Sequence, residues 1–265
     1  DPTPEELDDI QLACAKLWQL DHNRLQAGKD YTLNLQGGKS IWQKGDMAKE
    51  RLFESVNEEV FNRDTYRAFM QLLDNYDRST SHEDRLSAHE VTESYAFLNE
   101  CMEEPCGIYL HKARDSKKLA PQSMRSFCQQ LFKVWFKTFG RGEAKGASSG
   151  FEHVFLGEED TTKEGKLTIA GFHNWIQFYF EERCGHLDYQ GYILPKRRGR
   201  KSGDPPDGSE SFLSVQFEWE GEMKPVSGMF VGVSPEFELA LYSLLYYCGQ
   251  DDNKMHLGDV DLNIR

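Results

Sequence analysis

GRGEAKGASSG, residues 140–150, places four glycines and two serines in eleven positions, and the chain has a different texture on either side of it. Glycine lacks the Cβ that restricts the backbone, so such a cluster breaks a helical period and predicts a flexible connection. Upstream, apolar residues recur every three or four positions, the spacing that lines one face of an α-helix. Leu7, Ile10, Cys14 and Leu17 form one stripe, with Thr3, Pro4, Glu5 and Glu6 ahead of it as a capped start. Others run through Leu52, Val56, Val60 and Phe61, through Tyr66, Phe69, Met70 and Leu73, and through Met124, Phe127, Cys128, Leu131, Val134 and Trp135. Residues 1–140 therefore read as core-facing helices.

Downstream the segments shorten. Residues 151–156 read as a strand, with Phe151, His153 and Phe155 on one face and Glu152 and Val154 on the other. Residues 166–169 suggest a second strand. Phe172, Ile176, Tyr179 and Phe180 then keep helical spacing up to Gly185, which puts His173 in the first turn. The stretch PKRRGRKSGDPPDGSE (195–210) has no apolar residue but proline and reads as an exposed loop. Beyond it, residues 212–219 and 229–233 resemble strands, and Ser234, Pro235 and Glu236 open a further helix. The fold class expected is α+β: a helical N-terminal region, 1–140, packed on a part, 146–265, made of two small β-containing lobes. The lobes span about 146–195 and 211–265 and are joined by the basic loop, the whole forming one compact unit.

Composition narrows the classes. A chain of 265 residues can bury roughly three quarters of its unfolded surface and needs no staples. No apolar run approaches the roughly 18 residues that span a bilayer. Asp1 opens the chain; a cytoplasmic or nuclear location is expected, with secretion after loss of a leader as the alternative. The six cysteines are scattered and read as reduced thiols, Cys14 and Cys128 lying within apolar stripes and Cys101 and Cys106 forming the one close pair. A net charge of −13 argues against gripping a polyanion with the whole surface. Any nucleic-acid contact is then local, and Lys196, Arg197, Arg198, Arg200 and Lys201 offer one place for it.

No G-x-S-x-G elbow, Walker loop, HExxH or paired CxxC occurs. Two histidines stand out, His153 in FEHVF and His173 in GFHNW. With an unperturbed pKa of about 6.5, a pair of imidazoles suits a reaction that removes one proton and delivers another near neutral pH. Cleavage of RNA through its own 2′-hydroxyl is such a reaction. It needs no activated serine or cysteine, but it does need a cation beside the phosphorane. Structural histidines, or zinc held by His173, Cys184 and His186, remain open on these residues alone.

The motifs carry more when taken together. SGFEHVFLGE (149–158), GFHNWIQFY (171–179), DYQGYI (188–193), KPVSGMFVGVSPEFELALYSLLYYC (224–248) and LWQLDHNRLQAGKDYTLNLQGGK (17–39) resemble the EndoU family of uridylate-preferring endoribonucleases. The resemblance implies a helical region leading into a catalytic part whose two lobes flank a groove. It also implies a monomer that cuts single-stranded, uridine-containing RNA to 2′,3′-cyclic phosphate and 5′-hydroxyl ends, supported by Mn²⁺ or Ca²⁺ with unassigned ligands. By position His173 would be the base, His153 the acid, and Lys224 of KPVS the cation at the phosphorane. Glu152 and Glu158 match two supporting acids, Glu152 orienting its surroundings rather than touching phosphate. Ser227 is the candidate for the uracil edge, and Lys196, Arg197 and Arg198 would track phosphates. In the family, the region matching Asp259 to Arg265 leads on to an S/T-x-Y-P motif whose tyrosine packs against the uridine. The acidic stretch 251–263 reads as a surface turn and strand. A non-catalytic RNA-binding module on the same scaffold, or a metal-dependent nuclease with the histidines as ligands, are the alternative functions.

Overall fold

Thr3 and Glu6 form a capping box that starts a one-turn helix, α1 (Pro4–Asp8), and Asp9, its backbone extended and its carboxylate accepting Gln11 N–H, starts the next, α2 (Ile10–Leu20). The single stripe read through Leu17 is thus two helices, because Asp9 caps rather than continues. The computed structural model describes residues 1–76, 79–80, 86–119, 121, 123–141, 144–161, 165–194, 206–258 and 260–264. Lys196, Arg197, Arg198, Arg200 and Lys201 lie outside the described residues.

Three short strands follow α2: β1 (Tyr31–Leu33), β2 (Gly38–Lys39) and β3 (Phe53–Val56), with β1 and β3 antiparallel. The stripe from Leu52 to Phe61 is therefore not a helix. Its first half pairs with β1, and its second half is a 3₁₀ turn (Glu58–Asn62) begun by the Asn57 side chain. Four helices then build the N-terminal core, α3 (Asp64–Met70), α4 (Ala88–Glu103), α5 (Pro105–Ser116) and α6 (Met124–Trp135). Of these, α3 and α6 match the stripes read in sequence.

The glycine-rich stretch is also a correction. It forms a hairpin of β4 (Phe139–Arg141) and β5 (Ala144–Ser148), and Ala147, Ser148 and Ser149 behind it are buried. Residues 151–156, expected as a strand, make one wide helical turn (Glu152–Leu156) closed by Gly157 N–H on Glu152 O. Phe151 and Phe155 are four apart, a spacing that fits a helical turn as well as strand alternation. The core decides between them, since Phe69 packs on both rings while Phe136 stacks on Phe151 and Trp135 meets Phe155.

A second hairpin, β6 (Glu158–Thr161) and β7 (Leu167–Ala170), leads to α7 (Trp175–Cys184), which Asn174 caps and Gly185 ends in the left-handed region. His173 thus precedes the helix rather than sitting in its first turn. The chain closes with β8 (Leu187–Ile193), β9 (Phe212–Trp219), β10 (Glu222–Phe230), α8 (Pro235–Cys248) and the hairpin β11 (Asn253–Leu257) and β12 (Val260–Ile264). The largest sheet runs β10-β9-β8-β2. It takes β8 from the first lobe read in sequence, β9 and β10 from the second, and β2 from the N-terminal region. All six cysteines are free thiols, and Cys14, Cys101, Cys106 and Cys128 are buried. Among the described residues no helix is long and apolar enough to cross a membrane.

Carboxylates join the two halves from inside. Glu182 of α7 accepts Leu52 N–H at 2.6 Å and Phe53 N–H at 3.1 Å, and Glu236 of α8 accepts Asn23 Nδ2–H at 2.8 Å. Burial pushes the carboxyls of Glu182 and Glu236 each up to about 7, and those of Asp21 and Glu238 upward as well. A carboxyl whose folded pKa lies above its unfolded value binds more protons when folded. Its contribution is complete below about pH 4.5 and disappears as pH rises through about 7. In EDTA, the wild type should therefore melt at lower temperature at pH 8 than at pH 5, and Glu236→Gln should flatten that slope. A tenfold difference in proton affinity between the folded and unfolded chain is worth about 1.4 kcal/mol, so the variant should gain on the order of 3 kcal/mol relative to the wild type across the window. A difference between the two proteins that does not vary with pH would refute this.

Candidate active site

The two histidine motifs meet along their backbones. Phe172 N–H donates to His153 O at 3.1 Å, and His173 N–H donates to Val154 O at 2.9 Å. The approach is possible because residue 171 is glycine. Its φ is +64°, and a Cβ there would lie 1.7 Å from the His153 carbonyl oxygen. Phe172 also has positive φ, +67°, unusual for a side chain of that size. Burial holds it there: the ring packs on Phe178, Phe217 and Trp219. Trp175, two residues past His173, is caged by Tyr31, Phe53, Phe61 and Tyr66 and donates its Nε1–H to Val233 O at 2.8 Å. The aromatics flanking each histidine are thus anchors, and the polar residue between them is left at the surface of the core.

Each imidazole has a distinct partner. His173 Nδ1 lies 2.9 Å from Gly228 O, an atom that only accepts, so Nδ1 carries the proton and Nε2 keeps its lone pair. Ser227 Oγ donates to Phe172 O at 2.5 Å and stands 3.1 Å from the same Nδ1. Burial lowers the pKa of His173, and the nearby Lys224 ammonium lowers it further, against the opposing effect of Gly228. The ring is therefore held neutral. His153 is about one third exposed, and its Nδ1 faces Glu158 Oε2 at 3.2 Å. Glu158 is buried and fixed in turn by the hydroxyl of Ser148, at the end of β5.

Lys224 comes from β10 and spans to the other hairpin, donating Nζ–H to Ile169 O of β7 at 2.8 Å. Desolvation lowers its ammonium pKa to about 8. The β10 strand is irregular between Lys224 and Ser227, which opens the pairing with β9 between these two positions. The structure thus brings His153, His173, Lys224, Ser227 and Glu158 to one place. Glu152, by contrast, is buried and lines a small cavity with Tyr76, Gln177, Glu181 and Trp219. Ser227 is 1% exposed with its hydroxyl committed to Phe172 O, so the uracil contact expected of it would require that hydroxyl to turn.

The zinc grouping does not form. His173 precedes α7 and Cys184 is its last residue, so the length of a ten-residue helix, about 15 Å, separates them. Instead Glu181, His186 and Glu220 bring one ligand atom each to within 4.8 Å of one another, a group able to hold a metal ion. His186 Nδ1 is 3.3 Å from Glu181 Oε2 and 4.0 Å from Glu220 Oε1. Sequence spacing gave no sign of it, because Glu220 arrives on the turn between β9 and β10. The acidic stretch 251–263 forms the β11–β12 hairpin and, among the described residues, contributes to no such cluster.

Comparison with known proteins agrees with the fold. The family model described as Endoribonuclease XendoU matches residues 9–265. The uridylate-specific endoribonuclease B of Danio rerio is 38% identical over 262 residues, covering 96% of this chain and 90% of that protein. The poly(U)-specific endoribonuclease of Xenopus tropicalis is 38% identical over 243 residues, 89% of this chain and 80% of that protein. The solved structure of XendoU, described as a splicing-independent snoRNA-processing endoribonuclease, superposes with a TM-score of 0.80 at 33% identity, over 99% of this chain and 92% of that one.

Gly171→Ala should separate the two histidine motifs, since the added methyl group meets backbone rather than a movable side chain. Left-handed strain and the clash together should cost about 2–4 kcal/mol in a urea denaturation experiment. A midpoint equal to that of the wild type would show that the contact is not needed.

Proposed function

The chain belongs to the XendoU family of endoribonucleases and is an RNA-cleaving enzyme, and from that premise we propose that it cuts single-stranded RNA at uridylates through the ribose 2′-hydroxyl. The names of its relatives support the uridylate preference. One observation carries the chemistry: two imidazoles on adjacent backbone segments have opposite partners at Nδ1, a neutral carbonyl for His173 and a carboxylate for His153.

His173, neutral with its lone pair at Nε2, takes the proton of the 2′-hydroxyl. The freed oxygen attacks the neighbouring phosphorus. His153, with Glu158 behind Nδ1 to balance the charge of an imidazolium, gives a proton from Nε2 to the departing 5′-oxygen as the P–O5′ bond breaks. The products are a 2′,3′-cyclic phosphate and a 5′-hydroxyl. Lys224 has two N–H donors beyond the one given to Ile169 O, and these face the developing phosphorane charge. Ser227 keeps the His173 ring in place, Glu152 supports the turn that carries His153, and Lys196, Arg197 and Arg198 attract the flanking phosphates.

A divalent ion fits one donor set among the described residues. The imidazole and carboxylates of His186, Glu181 and Glu220 suit Mn²⁺ better than Ca²⁺, which prefers oxygen alone. The set contains none of His153, His173 or Lys224, so a bound ion would supply fixed charge that holds the elements around it.

Incubation with a uridine-containing oligoribonucleotide should yield cyclic phosphate and 5′-hydroxyl ends. His153→Ala and His173→Ala should each lower kcat by about 10²-fold or more at unchanged melting temperature. Ends bearing 5′-phosphate would overturn the mechanism. In thermal melts, Mn²⁺ should stabilise the wild type but not His186→Ala. Equal shifts in wild type and variant would reject the donor set.

A further inference from the structure

Gly150 and Val154, on either side of His153, line an open groove of about 1030 Å³ whose walls also include parts of α6, β4 and α8. Two of its aromatic rings stand in water. Phe139 of β4 is 46% exposed, and Tyr246, on the last turn of α8, meets Tyr247 with ring centroids 5.1 Å apart yet stays 69% exposed. Exposed rings gathered along one groove mark a binding surface.

The β4–β5 hairpin ties this groove to the catalytic turn. Directly opposite residues of an antiparallel pair lie about 5 Å apart with their side chains on one face. Phe139 is opposite Ser148, whose hydroxyl fixes Glu158, and Glu158 stands behind His153 Nδ1. Val154 is one chain step, about 3.8 Å between Cα atoms, beyond His153. Charge indicates what the groove takes. In a chain of net charge −13, residues 111–145 carry nine lysines and arginines against two acids, Asp115 and Glu143, so the fold gathers positive charge ahead of the catalytic turn. Lys133 and Lys137 from this stretch are exposed and line the groove, with Asp251 the one acid lining it among the described residues. Aromatic rings interleaved with ammonium groups suit a single nucleic-acid strand, whose bases offer flat faces and whose phosphates carry negative charge.

We propose that this groove holds the RNA strand on the 3′ side of the bond that is cut, with Phe139 and Tyr246 stacking on bases and Lys133 and Lys137 meeting phosphates. The proposal rests on the RNA-cleaving reading of the histidine pair and deepens it. In that reading His153 protonates the 5′-oxygen, the first atom of the departing strand, so a groove that begins beside His153 receives that strand. Stacking on an aromatic face is tolerant of sequence, and the groove therefore adds affinity for length without choosing the base.

The test uses a labelled trinucleotide whose central uridine is 2′-deoxy and so cannot be cut, together with the same trinucleotide extended by about six nucleotides on its 3′ or its 5′ side, within the span such sites cover. Binding is followed by fluorescence anisotropy. Phe139→Ala and Tyr246→Ala should each weaken the 3′-extended strand about fivefold or more, the effect of losing one stacked base, and leave the 5′-extended strand and the melting temperature unchanged. Tyr246→Phe, which keeps the ring, should keep most of the affinity. Lys133→Gln and Lys137→Gln should each lower the salt dependence of binding to the 3′-extended strand by about 0.7 in the slope of log affinity against log salt. Equal affinity of the wild type and both alanine variants for the 3′-extended strand would overturn the proposal, as would a wild type that binds this strand no tighter than the trinucleotide. A melting temperature lowered by Tyr246→Ala at unchanged affinity would also overturn it, since protein rather than RNA would then cover the ring. If the wild type gains affinity from 3′ nucleotides through Tyr246 but does not cut the ribose form, the catalytic reading fails and the groove stands.

Discussion

Two backbone hydrogen bonds, from Phe172 to His153 O and from His173 to Val154 O, hold the histidine motifs against each other. The contact demands positive φ at both Gly171 and Phe172, and for phenylalanine that conformation costs on the order of 1–3 kcal/mol. What offsets it is burial of the same ring against Phe178, Phe217 and Trp219. Full burial of such a side chain contributes about 1.5–3 kcal/mol, comparable to the strain. The segment is therefore stable only with its aromatic residues in the core, and the histidine between them is carried to a position it would not adopt in a relaxed turn.

That geometry makes two identical side chains unequal. His173 is half-buried, donates its Nδ1–H to a neutral carbonyl and feels a lysine charge nearby; burial and that charge favour the uncharged ring. His153 is more exposed and faces a buried carboxylate that can balance a positive ring. Solvation and neighbours, rather than residue type, thus separate a ring that favours its neutral form from one whose positive charge can be balanced. Lys224 follows the same logic, because partial desolvation strengthens the field of its ammonium toward anything bound beside it. A lysine so placed is also closer to losing its proton than one in water.

Much of this was legible in the sequence, and the failures have physical causes. The α+β class, the helices α6, α7 and α8 and the strands β7 and β9 followed from period and caps. Residues 151–156 did not, because aromatics four apart fit either a strand or a helical turn, and the choice was made by Phe69, Phe97 and Phe136 from far upstream. The glycine-rich stretch was read as a linker because composition reports backbone freedom and not the pairing that can use it. At the site, His153, His173 and Lys224 stood out through their motifs. The Gly228 carbonyl that fixes the His173 tautomer, the Glu181–His186–Glu220 group and the groove between Phe139 and Tyr246 arise from residues brought together only by topology.

The N-terminal helical region is part of the site's mechanics. Asn174, next to His173, caps α7 with Oδ1 and donates Nδ2–H to Glu238 Oε2 of α8 at 2.6 Å. Beside it, Trp175 is enclosed by Tyr31, Phe53, Phe61 and Tyr66, all from the first 70 residues, and at the far end of α7 Glu182 takes the backbone N–H groups of Leu52 and Phe53. Removing those partners would leave a large indole and a carboxylate without their enclosure, and the helix that follows His173 would have no fixed seat. Burial of polar groups is tolerable only when each finds a partner, so the carboxylates commit both halves of the chain to one arrangement. The N-terminal region thus supplies both the β2 strand of the largest sheet and the seat of the helix that follows His173.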